Sequence, residues 1–280
     1  LLTPLGEVET SVDVPGEVRE IDVLFTPYPP ELRGDATVLG LLGQLASTPC
    51  IFEPFRNAVN PNQIRGCMGK LYDIHANLQR QRQRENSRLE EADLPWLWIL
   101  SPTVSANILN GCKAELDQKN WLPGVYFLGE ILKIGIVVIH QLPRTPETLW
   151  LRMLGKGNVQ KQAINEIGTL PPNHPLRSNA LLLLSNLQAT IQASQNVDRE
   201  DRELVMELSP LLLQWRDESL QEGEKRGKRI MIENALRVRF GNLDEELSGI
   251  IERLLELPPE EIMVLALQLS REKLLARFGS

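Results

Sequence analysis

Two acids stand where a plain core strand would not place them. Asp22 lies inside the apolar run Ile21 to Phe25, and Glu53 inside Cys50 to Phe55. Asp and Glu are seldom buried unpaired, so each needs a cation, a metal ion or an edge facing water. If their strands are neighbours, the two carboxylates can share one Mg2+ that keeps several of its waters. Such an ion polarises a phosphodiester and activates a water, which makes metal-dependent hydrolysis the candidate chemistry. A nearby cation, Arg56 or Lys70, would stabilise charge developing on the phosphate. Arg56 stays protonated and can only clamp, whereas Lys70 can also lose its proton if its pKa is depressed.

A purely structural role competes with this one. Asp22 can pair with Arg19 or with a strand neighbour, and Glu53 can bridge to Arg56 or cap the helix that follows Pro61. Other chemistries lack a pattern. His75, His140 and His174 have no ligand spacing for zinc. Ser101, Ser105 and Cys112 form no nucleophile elbow, and no Gly-rich phosphate loop is present. Arg80, Arg82 and Arg84 fall in QRQRQRENSR, four arginines against one glutamate. This run is either a local DNA-contacting patch or a solvated helix end, and no aromatic residues interleave with it.

The elements that must position these residues are legible from periodicity and punctuation. Val8, Val12 and Val14 alternate with polar residues as a strand. Pro15 and Gly16 make a turn, and Glu17 to Thr26 resumes as the second strand of a hairpin. A short helix over Leu39 to Ala46 opens at Asp35 or Thr37, and Cys50 to Phe55 is the third strand. Pro61 begins a long helix to about Arg88, with Ile64, Cys67, Met68, Leu71, Ile74 and Leu78 on one face. LPWLWIL, residues 94–100, barely alternates and reads as a central strand covered on both sides. Ser105 to Leu116 is a short helix, and Val125 to Leu132 and Ile134 to Leu142 are strands meeting near Lys133. Together these predict an α/β fold with a mixed sheet.

Beyond Pro143 the chain is helical. Thr148 to Leu154, Val159 to Ile167, Ser178 to Gln195 and Val205 to Leu220 are predicted helices, followed by Ile230 to Phe240, Leu243 to Leu257 and Glu260 to Phe278. QEGEKRGKR, with Gly223 and Gly227, is expected to continue as a weakened helix. The expected organisation is an α/β domain over 1–155, a helical connecting region over 156–220 and a small all-α module over 221–280. The segment from Val205 through Phe240 is long enough to pack against a second copy, which predicts a homodimer through the helical C-terminal region.

Composition sets softer bounds. The 280 residues are 42% hydrophobic and carry a net charge of -7, so contact with nucleic acid would require a local positive patch. Cys50, Cys67 and Cys112 are widely spaced and odd in number, which fits reduced thiols in a cytoplasmic protein. No signal peptide and no apolar run of about 18 residues appears, so no membrane association is expected. The first residue is Leu1 rather than methionine, which leaves room for a short helix upstream.

The order Glu7 to Val14, Asp22 in REIDVLF, Glu53 in CIFEPFR, the helix with Lys70 and then LPWLWIL resembles the core of the PD-(D/E)XK nuclease-like superfamily. EPFRN, GVYFLGE, IVVIHQLPRTPETLWLR and ELPPEE resemble, over nearly the whole chain, uncharacterised cyanobacterial proteins. These are grouped near the recombination-promoting nuclease and putative transposase relatives. The tail from Gln221 is similar to a helical domain of unknown function that follows such domains. The resemblance implies a restriction-endonuclease-like core and Mg2+-dependent hydrolysis of DNA. It places Asp22 at the metal-binding aspartate and Glu53 at the acid of the Glu-x-Lys motif, where Phe55 replaces the lysine. Superfamily members that move this lysine onto the following helix make Lys70 the candidate. A further acid on an upstream helix is also implied, with Glu7 or Glu9 as substitutes. The alternative is a catalytically inactive nuclease-like scaffold that binds nucleic acid or protein.

Overall fold

The computed structural model describes residues 2–14, 19–194, 197 and 199–279. The turn expected at Pro15 and Gly16 lies outside the described residues, as does the side chain of Arg19. The chain divides into two compact units, Leu1–Leu208 and Ser209–Ser280. Residues 156–208, assigned from sequence to a connecting region, thus fall in the first unit.

The first unit is built on a mixed seven-stranded sheet. Strands β1 (Gly6–Val14) and β2 (Arg19–Pro27) are antiparallel, and β3 (Cys50–Pro54) adds antiparallel to β2. Next come β4 (Trp96–Ser101) and β7 (Ile134–Val138), both parallel to β3. Then β6 (Val125–Phe127) and β5 (Glu115–Leu116) complete the order β1-β2-β3-β4-β7-β6-β5. With a parallel neighbour on each side, β4 is buried on both faces, the environment that a nearly unbroken apolar run suits.

Between β2 and β3, Asp35 caps a 3-10 turn over Ala36–Leu39, and α1 (Leu41–Leu45) follows. Helix α2 (Pro61–Arg84) connects β3 to β4. Its start carries every expected signal. The Asn60 side chain accepts from the amides of Asn62 and Gln63, both at 3.0 Å, Gln63 Oε1 accepts from Asn60 N at 2.9 Å, and Pro61 occupies the first turn. Ile64, Cys67 and Leu71 on α2 then pack over Ile51, Leu97, Ile99, Ile134 and Ile136 of the sheet.

Three sequence expectations fail in this unit, the first being the strand from Ile134 to Leu142, which ends at Val138 where Ile139–Gln141 turns as a 3-10 helix. The helix after Ser105, α3, stops at Gly111 (Ala106–Gly111), and Glu115–Leu116 is instead the edge strand β5. The strand from Val125 ends at Phe127, because Glu130–Leu132 turns as a 3-10 helix and Lys133 takes a left-handed conformation, φ 53°. Helices α4 (Leu149–Arg152), α5 (Asn158–Gly168) and α6 (Arg177–Ala193) complete the helical part of the unit. Arg152, buried on α4, pairs with Glu166 of α5 at 2.6 Å and donates to Thr145 O at 3.0 Å.

Helix α7 (Arg199–Phe240) runs unbroken through both glycines, and the boundary of the two units falls inside it, next to Pro210. In the second unit, Ile232 and Leu236 of α7 form one core with α8 (Glu245–Gly249), α9 (Ile251–Leu255), α10 (Pro259–Gln268) and α11 (Arg271–Phe278). The single helix expected from Glu260 to Phe278 is two. Ser270 accepts from the Lys273 amide and starts α11, a cap hidden within a continuous apolar pattern. Among the described residues no helix is long and apolar enough to cross a membrane.

Candidate functional site

Glu53 is the fourth residue of β3 and is 2% exposed. It shares a sheet face with Ile51, because alternate residues of a strand point the same way, and that face is the one α2 covers. Lys70, on the flank of the packed stripe of α2, reaches back to it. Its Nζ lies 2.9 Å from Oε1 and 2.8 Å from Oε2 of Glu53. The Cys67 thiol, one turn earlier on α2, donates to Oε2 at 3.8 Å.

Asp22 approaches from the neighbouring strand. The register Leu24 to Ile51 and Val23 to Phe52, carried one step further, sets Asp22 across from Glu53 on the same face. Its carboxylate is exposed, whereas that of Glu53 is not. Burial pushes the Glu53 carboxyl above the ordinary value of 4.5, the Lys70 hydrogen bonds and charge pull it back, and the negative charge of Asp22 raises it again. Burial, reinforced by the Glu53 charge, pushes the Cys67 thiol up to about 12, so it is a neutral donor and no nucleophile near neutrality.

Arg56 is not part of this cluster. It leaves β3 in the other direction, where Nη1 donates to Gln160 Oε1 at 3.2 Å and Nη2 pairs with Asp201. Neither does Glu53 cap α2, which Asn60 does. The loop between β3 and α2 is fixed by Ser101, whose buried hydroxyl accepts from Val59 N at 3.1 Å and donates to Thr103 O at 2.9 Å. Phe55, two residues after Glu53, donates its amide to Leu100 O at 2.8 Å and so carries the β3–β4 ladder past Glu53.

The basic run sits at the far end of α2. Arg80 and Arg84 are exposed, Arg82 pairs with Glu85 at 3.7 Å, and Arg80 donates to Asn77. His75 is half-buried with Nε2 3.0 Å from Pro95 O, and burial lowers its pKa. Cys50 and Cys67 are buried and Cys112 half-buried, all three as free thiols. Among the described residues no group of three or more His, Cys, Asp or Glu side chains is placed to hold a metal ion. Asp22 and Glu53 therefore offer a two-carboxylate site at most, with Lys70 as its built-in cation.

From sequence Lys70 is a candidate cation for the phosphate beside Arg56, whereas the partner expected for Glu53 is Arg56, so the Lys70–Glu53 contact is a finding of the structure. The Cys67 contact carried no signal beyond a helical step of three from Lys70. The chain matches no protein-family model, no curated protein and no solved structure.

Proposed function

We propose that this chain is a Mg2+-dependent phosphodiester hydrolase acting on DNA, with Asp22 and Glu53 as metal ligands and Lys70 as the charge-stabilising group. The observation that carries the reading is Lys70 Nζ within 2.9 Å of both Glu53 oxygens, with Asp22 across the strand pair. It supports Lys70 as the counterpart of the lysine that Phe55 replaces in the Glu-x-Lys motif. The order β1, β2, β3, α2, β4, with the three residues on β2, β3 and α2, also supports a restriction-endonuclease-like core.

Two carboxylates from adjacent strands suit Mg2+, which commonly takes one or two protein oxygens and completes its shell with water and phosphate. When bound, the ion supplies Lewis acidity at the phosphate and activates a water. Lys70 holds the Glu53 carboxylate in place by two charge-assisted bonds. A phosphate drawn to Asp22 and Glu53 by the ion would compete with Glu53 for that ammonium, which would then face the developing charge. Arg80, Arg82 and Arg84 begin about 15 Å further along α2, at 1.5 Å per residue, and would add phosphate contacts that weaken with salt. Arg56, engaged by Gln160 and Asp201, would support the loop rather than the phosphate.

One observation favours the inactive scaffold instead. Glu53 is nearly inaccessible and both of its oxygens already accept from Lys70, an arrangement that serves equally as a structural ion pair. Calorimetric titration of Mg2+ and Mn2+, with plasmid nicking, decides between the two. Binding lost in Asp22→Asn supports the hydrolase; folded protein that neither binds nor nicks supports the scaffold. The homodimer rests on exposed apolar residues of the second unit, among them Leu220, Ile230 and Val238, and light scattering tests it.

A further inference from the structure

The opposite face of the sheet carries a second concavity. Trp96 and Trp98 alternate along β4 with Leu97 and Ile99, which face α2, so both indoles project to the other side. There Trp96, Trp121 and Phe127 line a cavity of about 700 Å3. This lies within the range of small-molecule pockets, about 300 to 1,000 Å3. Phe127 forms the corner, its ring centroid 5.2 Å from that of Trp121 at 56° and 5.9 Å from that of Trp96 at 88°. The walls therefore meet at open angles instead of stacking shut.

Buried Trp98 holds these rings from beneath. Its centroid lies 5.7 Å from Trp96, 5.6 Å from Trp121 and 5.7 Å from Phe127. The Trp98 indole N–H donates to Leu45 O at 3.1 Å, and its ring lies against Gly135, where an added Cβ would collide with it. The aromatic walls are thus preorganised, which lowers the cost of binding.

The rim has a sign. Of its charged lining residues Glu115, Asp117 and Glu130 are acids and Lys113 is a cation, while Lys133, over the Trp96 ring, is paired with Glu91 at 3.4 Å. No ion pair among the described residues engages these three acids, and Asp117 accepts only a neutral contact from Asn120 at 2.8 Å. Such a rim repels phosphate and carboxylate ligands. Aromatic faces attract cations through the ring quadrupole, and Trp96 already receives one, with Lys133 Nζ 5.7 Å from its centroid.

We propose that this cavity binds a small organic cation bearing an alkylated ammonium group. The alkyl groups would bury apolar area against Trp96, Trp121 and Phe127, while the positive charge would meet the faces of Trp121 and Phe127 and the acidic rim, Trp96 already facing Lys133. The site is independent of the Asp22 and Glu53 cluster, since it lies on the other face of the sheet and beside the first residue of β4. Glu53 pairs with Ile99, three residues further along that strand.

The test is calorimetric titration of the full chain with choline and, separately, with its neutral isostere 3,3-dimethylbutanol. Saturable choline binding, at least about tenfold tighter than the isostere, lost in Trp121→Leu and weakened in Glu130→Gln, is expected. Glu130 is exposed, so that variant keeps its fold, checked by circular dichroism. Absence of saturable choline binding by the parent chain, equal affinity for the isostere, or unchanged binding in both variants would overturn the proposal.

Discussion

Lys70 on α2 donates to both carboxylate oxygens of Glu53 on β3, at 2.9 and 2.8 Å, with 3% of the glutamate side chain and 18% of the lysine side chain exposed. The pair ties the helix to the end of a central strand. It also places the cation on Glu53 seventeen residues from it in sequence.

Removing the lysine charge should be costly whatever the pair does in catalysis. Lys70→Met strands a carboxylate in an apolar core and is expected to lower stability by about 3 kcal/mol, the usual range for a broken buried pair being about 3 to 5 kcal/mol. Glu53→Gln leaves a better-solvated lysine and should cost less. Urea denaturation of both variants and of the double variant measures the coupling. Additive effects would show that the contact contributes nothing.

The pH dependence of that cost has a definite sign. Burial holds the Glu53 pKa above 4.5, the ordinary value at which the unfolded chain releases the same proton. Between the two values the folded chain is protonated and the unfolded chain is not, so this contribution is full below 4.5 and lost as pH rises through the folded pKa. Glu166 acts in the opposite sense. Arg152 holds its pKa down, so its contribution is present above the ordinary value and lost as pH falls. The difference in stability between parent and Glu53→Gln, followed from about pH 4 to pH 7, isolates the first effect. A flat difference would show that Glu53 is not perturbed.

Gly135 is irreplaceable for a reason of space. A Cβ there would sit 2.0 Å from the Trp98 ring, which cannot retreat without disturbing Trp121 and Phe127. Gly135→Ala is expected to cost about 1 to 3 kcal/mol, as overpacking does, and to shift tryptophan fluorescence. Parent-like emission and stability would contradict the packing.

The cap of α2 is a milder lever on the site. Asn60→Ala removes two bonds to the first-turn amides and should cost about 1 kcal/mol. Asn60→Asp, which keeps an acceptor and adds favourable charge at the helix start, should restore it. Thermal unfolding of the two variants checks the order.

Much of this fold was legible because its signals are local. Pro61 after Asn60, the three and four residue spacing of Ile64, Cys67 and Leu71, and the unbroken run of β4 each state an element and its buried face. Strand order is different, since it depends on contacts between distant segments. That β7 enters beside β4, with β6 and β5 outside it, leaves no trace in local periodicity. A two-residue strand such as Glu115–Leu116 has no period to detect, and the Leu269 and Ser270 break is masked by apolar residues on both sides. For the site, strand acids announce a need for partners, but which cation answers is a tertiary matter. Arg56, three residues from Glu53, turns to Gln160 and Asp201, and Lys70 takes its place because the α2 stripe aims it at the sheet.

For the proposed binding of a divalent ion by Asp22 and Glu53, Asp22 is the cleaner probe because its exposed side chain bears little packing. Titration of Mg2+ and Mn2+ into the parent chain and Asp22→Asn, with nicking of supercoiled plasmid assayed on the same samples, tests it most directly. Saturable binding and nicking by the parent are expected, with loss of both in Asp22→Asn at unchanged thermal stability. Equal metal affinity in the two proteins, or a folded parent chain that neither binds nor nicks, would contradict it and leave the Glu53 and Lys70 pair as a structural tie.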